Sequence, residues 1–150
     1  MAHQNFNHLI DANGRLKAAG LVGATADGSD IVDLGPGFAA FDVVIAWTAC
    51  EVATGDERYD IIVQGSNSSS FGSGVYELVK TSFGDSTVNG DATDTPPSGL
   101  LVLSGSNVAI TSATDGNTVG PLRYARIRTV VAGTVASGMN YEAWLTKPQK

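Results

Sequence analysis

The only imidazoles in the chain are His3 and His8, both within its first eight residues. Ser/His/Asp catalysis needs a histidine held on a rigid element beside its nucleophile. A position in a terminal arm does not provide one. The serines between Ser66 and Ser73 lack the GxSxG turn that presents a nucleophile, and they read as a solvated loop. Two terminal histidines are also too few for a zinc site. Asp27, Asp30 and Asp33 have the oxygen chemistry for a hard cation, as do Asp85, Asp91 and Asp94. Neither set follows the EF-hand spacing, and aspartates in turns usually bond their own backbone. Paired carboxylates of the glycosidase kind can converge from distant strands, but here the carboxylates sit mostly in turns. The run Gly35-Pro36-Gly37-Phe38-Ala39-Ala40 matches GxGxxA. A dinucleotide site needs a helix start after those glycines, whereas the following FDVVIAW reads as strand. Cys50 is the single cysteine, so no intrachain disulfide forms, and its apolar surroundings predict a buried small hydrophobe. No catalytic, cofactor or metal set emerges, and the expectation is a protein that is not an enzyme.

Binding chemistry is better represented. Trp47 and Trp144, with the tyrosines, have the ring faces of a sugar platform, though such residues also fill cores and interfaces. Arg123, Arg126 and Arg128 hold three of the nine basic residues of a chain whose net charge is −6. An acidic chain without a basic run repels phosphate backbones, which argues against nucleic acid. No apolar stretch approaches the roughly 20 residues that span a membrane. The opening MAHQNFNHLIDANG lacks the basic start and apolar core of a secretory signal, so synthesis in a cytoplasm and a soluble product are expected.

The elements that must position these groups are strands. The chain has 150 residues, 43% of them hydrophobic, 16% charged, with 18 glycines. This length suits one domain, and the composition fits a turn-rich β protein or a subunit with much surface hidden in an assembly. Residues 1–17 read as an arm anchored by Phe6, Leu9 and Ile10. Residues 18–146 read as one β domain, and 147–150 as a polar tail. Phe41–Val52 is a long apolar run and reads as a central strand. Arg58–Gln64, Val75–Ser82, Leu100–Leu103 and Val108–Thr111 follow at turn-punctuated intervals. Phe83–Ser98 is the longest loop, and Pro96-Pro97 excludes a helix there. A loop of this length reaches for a partner or carries function. About eight strands without a convincing helix predict an all-β, antiparallel β-sandwich, jelly-roll-like, with an extended N-terminal arm.

The clearest pair of strands is Pro121–Leu145, PLRYARIRTVVAGTVASGMNYEAWL. Side chains alternate between faces along a strand. Ala125, Ile127, Thr129 and Val131 therefore share one face, as do Tyr141, Ala143 and Leu145. Read as a β-hairpin, one register places Arg128 opposite Glu142, Arg126 opposite Trp144 and Ile127 opposite Ala143. It combines an ion pair, a cation–π contact and an apolar face.

The stretch RYDIIVQGSNSSSFGSGVYEL, together with LRYARIRTVVAGTVASGMNYEAWL, resembles the capsid cement or decoration proteins of tailed bacteriophages. The features that carry the resemblance are Gln64-Gly65-Ser66, Phe71, Arg123 to Gly133 and Ala143 to Leu145; the stretch ADGSDIVDLGPG is also similar. It implies a non-enzymatic structural subunit, commonly trimeric, on the outer capsid surface of the virion. Such a subunit bridges neighbouring capsomers and has the major capsid protein as its partner. Phe6, Leu9, Ile10, Pro96 and Pro97 are then the expected contacts with neighbours. The competing expectation is a carbohydrate-binding or adsorption module on the same sandwich.

Overall fold

The computed structural model describes residues 14–35, 40–107, 110–111 and 118–146. Nearly all regular structure is strand. In chain order the elements are β1 (Arg15–Val22), β2 (Ala26–Asp27), β3 (Val32–Asp33), β4 (Ala40–Cys50), β5 (Arg58–Ser66) and β6 (Tyr76–Gly84). After a one-turn helix α1 (Ser86–Asn89) come β7 (Gly99–Ser106), β8 (Ile110–Thr111), β9 (Thr118–Val119), β10 (Tyr124–Ala132) and β11 (Met139–Thr146). The helix lies inside the stretch where the two prolines argued against one. It forms because Asp85 caps its start, accepting from the Thr87 amide, and Gly90 ends it in the left-handed conformation, well before Pro96. β1 begins at Arg15, so residues 15–17 belong to the sheet and not to an arm. Phe6, Leu9, Ile10 and the polar tail lie outside the described residues.

Two antiparallel sheets carry the fold. Sheet A has the order β1-β11-β4-β7, and sheet B the order β2-β10-β5-β6, with β3 also pairing β10. β8 and β9 form a separate small ribbon. The sheets face each other across one apolar cluster. Phe41, Val43, Ile45, Tyr141, Ala143 and Leu145 enter it from sheet A, and Tyr59, Ile61, Val63, Ala125 and Ile127 from sheet B. The long apolar run does form a central strand, β4, flanked by β11 and β7.

The Pro121–Leu145 hairpin does not form. β10 pairs with β5 along its whole length, Arg126 opposite Gln64 and Arg128 opposite Ile62. β11 pairs with β4 and β1, placing Trp144 between Val44 and Arg15, and Glu142 beside Ala46. The two strands thus lie in different sheets and face each other through the core. The face assignments hold: Ala125, Ile127 and Thr129 are buried, and so are Tyr141, Ala143 and Leu145. The Thr129 and Tyr141 hydroxyls hydrogen-bond at 2.5 Å across the core. Strands of one sheet lie about 4.8 Å apart, whereas packed sheets lie about 10 Å apart. The connection between β10 and β11 spans the wider gap, entering and leaving through Gly133 and Gly138, both at positive φ. A Cβ at Gly133 would meet the Asp56 carbonyl oxygen at 2.0 Å.

Candidate functional site

The groups with the most chemical potential prove to be internally satisfied. Glu57 is fully buried. Its carboxylate accepts from the Thr54 amide and hydroxyl at 2.8 and 2.7 Å, and from the Gly55 and Asp56 amides at 3.0 and 3.2 Å. Burial pushes this carboxyl up, but the hydrogen bonds from Thr54 and the backbone outweigh it and bring it down to about 2. Glu51 accepts from the amides of Ala136, Ser137 and Gly138, and those backbone donors hold it below the usual carboxylate range. Asp56 accepts from the Thr134 amide at 2.8 Å and its hydroxyl at 3.0 Å, with the same direction of shift and the Thr134 amide as main cause. All three carboxylates tie down turns, two of them on the loop that carries the chain between the sheets. Burial pushes the Cys50 thiol up to about 11, against a hydrogen bond from Thr95, the opposite of an activated nucleophile. Among the described residues no three metal-ligating side chains converge, and no helix is long and apolar enough to cross a membrane.

The arginines are matched, though not by the expected partners. Arg126 donates to Gln64 at 2.9 Å and to Asp27 at 3.1 Å, and its guanidinium lies 4.5 Å from the centre of the Phe71 ring. Arg128 donates to Asp27 at 2.7 Å. Arg123 grips Asp33 with two nitrogens, at 3.2 and 3.0 Å. Asp27 and Asp33 sit on β2 and β3, the short strands at the edge of sheet B. The basic residues therefore fasten that edge to β10 and leave no free cationic patch there. Sequence reasoning missed Asp27 because it lies about a hundred residues away in the chain.

The tryptophans divide. Trp47 is buried against Phe83, ring centres 5.0 Å apart, and its indole N–H donates to the Pro96 carbonyl oxygen at 2.8 Å. Trp144 is half-buried on the outer face of sheet A, in one row with Arg15, Val44 and Val102. Pro96 and Pro97 are exposed. The loop that carries them is clamped at its base, where Thr95 exchanges two hydrogen bonds of 2.9 Å with Gly84.

That loop leads straight into β7, which stands apart from the other long strands because none of its residues is buried. Leu100 and Val102 are each 51% exposed, and Leu101 and Leu103 are only partly covered by the core. Gly99 and Gly105 bracket the inward face. A Cβ would meet the Trp47 ring at 2.3 Å at the first and the Phe41 ring at 2.2 Å at the second. These glycines let the two large rings of β4 pack beneath an edge strand. The available signal was charge: Thr95 to Thr114 is a run of twenty residues without a charged side chain. The apolar outer residues of β7, the half-buried Trp144 and the exposed prolines form the candidate interaction surface. In comparisons with known proteins, no family model matches the chain. No curated protein sequence matches it either.

Proposed function

We propose that this chain is a non-enzymatic structural protein of a tailed-phage virion, seated on the outer capsid surface and stabilising the assembled head by bridging capsomers. The observation that carries the reading is the kind of side chain left exposed. Among the described residues the exposed large hydrophobics are aliphatic, namely Leu21, Ile31, Leu100 and Val102. A sugar reader presents aromatic faces; a protein-binding surface presents aliphatic area that a partner can cover. The chain's repeated passage between β1-β11-β4-β7 and β2-β10-β5-β6 supports reading the sandwich as a jelly roll. That architecture serves capsid and lectin domains alike, and the exposed chemistry and the resemblance support the capsid use. A subunit that binds the assembled shell and not its dissociated parts stabilises it by mass action. The test is co-sedimentation with expanded phage heads, run beside a panel of immobilised glycans. Saturable binding to heads with none to glycans is the expected result. Glycan binding without head binding overturns the reading in favour of a carbohydrate module.

A further inference from the structure

A sheet edge offers unpaired N–H and C=O groups to any other strand, and proteins blunt such edges with charge, bulges, short strands or inward-pointing charged residues. Among the described residues, three of the four sheet edges are blunted in these ways. β1 carries bulges on both sides of Lys17. The Lys17 side chain is buried and donates to the carbonyls of Ala18, Gly20 and Tyr141. β2 and β3 are two residues each and hold Asp27 and Asp33. β6 carries Glu77 and Lys80 and pairs β5 through a bulge. The fourth edge, β7, shows none of these devices among the described residues. It pairs β4 without interruption from Gly99 to Ser106. It contains no charge and no proline. Among the described residues β4 is its only ladder partner.

We propose that β7 pairs with β7 of a second copy, antiparallel across a two-fold axis, joining two A sheets into one continuous sheet of eight strands. Self-pairing sets constraints that this strand meets. Around a two-fold each residue faces a residue of its own strand, so any charge near the axis meets its like, which is destabilising. β7 has no charge to repel. With Val102 facing Val102 of the partner, Leu100 lies opposite Ser104, and every residue keeps its face because paired positions differ by an even number. The outer row Val102-Val44-Trp144 then continues into the same row of the second copy, covering aliphatic area that the single chain leaves in water. An extended strand of eight residues is about 27 Å long, and such a contact is smaller than a standard stable interface. The pair is therefore concentration-dependent. This geometry yields a dimer in place of the trimer that the resemblance implies, and it does not rest on the virion reading.

The experiment measures the mass of the full chain by light scattering over a concentration series, without phage heads. Wild type is expected to move from one to two times 15.4 kDa. Val102→Lys and Val102→Glu should each remain monomeric, with unchanged circular dichroism, because each sets like charges against one another at the axis. An equimolar mixture of the two variants should recover the doubled mass. Wild type that stays monomeric, a tripled mass, or Val102→Lys that still dimerises overturns the proposal. Loss of pairing in both variants without recovery on mixing also overturns it, since it would place Val102 away from the axis. Failure here leaves the head-binding result untouched, and failure of head binding leaves this one.

Discussion

The two edges of sheet A are built from strands of equal length, yet one is closed and the other open. At β1, polar groups are used inward. Lys17 folds back onto three carbonyl oxygens and lies 4.5 Å above the Tyr141 ring, while Arg15 grips Asp30 at 2.8 Å. Burial lowers the Lys17 pKa, partly opposed by the nearby Glu142 carboxylate. A strand added at this edge would have to displace that buried cation. On β7, Ser104 turns away from the edge and donates to Asp42 on its own sheet at 2.7 Å. The difference shows that an edge is left open by what its strand lacks.

If that contrast is right, changes on the closed side should cost folding stability, and changes on the outer face of β7 should cost only association. The largest loss is expected for Lys17→Ala, which strands three carbonyl acceptors. We expect about 3 kcal/mol, read as a lower midpoint in urea unfolding; a loss under about 0.5 kcal/mol would mean that the β1 edge is not held by its lysine.

Acid should loosen the turns that join the two sheets. Glu57 has its folded pKa, about 2, below the ordinary glutamate value, and Glu51 and Asp56 shift the same way. Their contribution is complete above the unfolded value and is lost as pH falls through the folded one. The melting temperature should therefore drop between about pH 4.5 and pH 2. Glu57→Gln should lower stability at neutral pH, because its amide nitrogen faces backbone donors. It should also flatten that acid slope, and an unchanged slope would remove Glu57 from the account.

Gly105→Ala tests the inner face of β7. The added methyl enters the Phe41 ring, and overpacking of this kind costs about 1–3 kcal/mol, measurable by thermal melting. The smallest effect is expected for Trp47→Phe, which keeps the packing on Phe83 and deletes the indole bond to Pro96. About 1 kcal/mol should be lost, with faster amide exchange at Thr95 as the loop base loosens. Exchange that stays as slow as in wild type would show that the Thr95–Gly84 bonds alone hold the loop.

The pattern of side chains along the chain was enough to establish the all-β class, the position of β4 at the centre of a sheet, and the inward faces of β10 and β11. Those properties depend on a two-residue period, which is local and survives any arrangement of partners. The same alternation is produced by two strands paired in one sheet and by two strands facing each other from opposite sheets. It therefore could not tell that Arg128 meets Asp27 and not Glu142, or that Trp144 lies between Arg15 and Val44. Nor does an apolar run of four residues, Leu100 to Leu103, announce whether it lies in the middle of a sheet or at its rim. Only the tertiary structure decided these points, because ladder partners and edges are set by long-range closure of two sheets around one core, and a strand's own residues carry no record of which neighbour is missing.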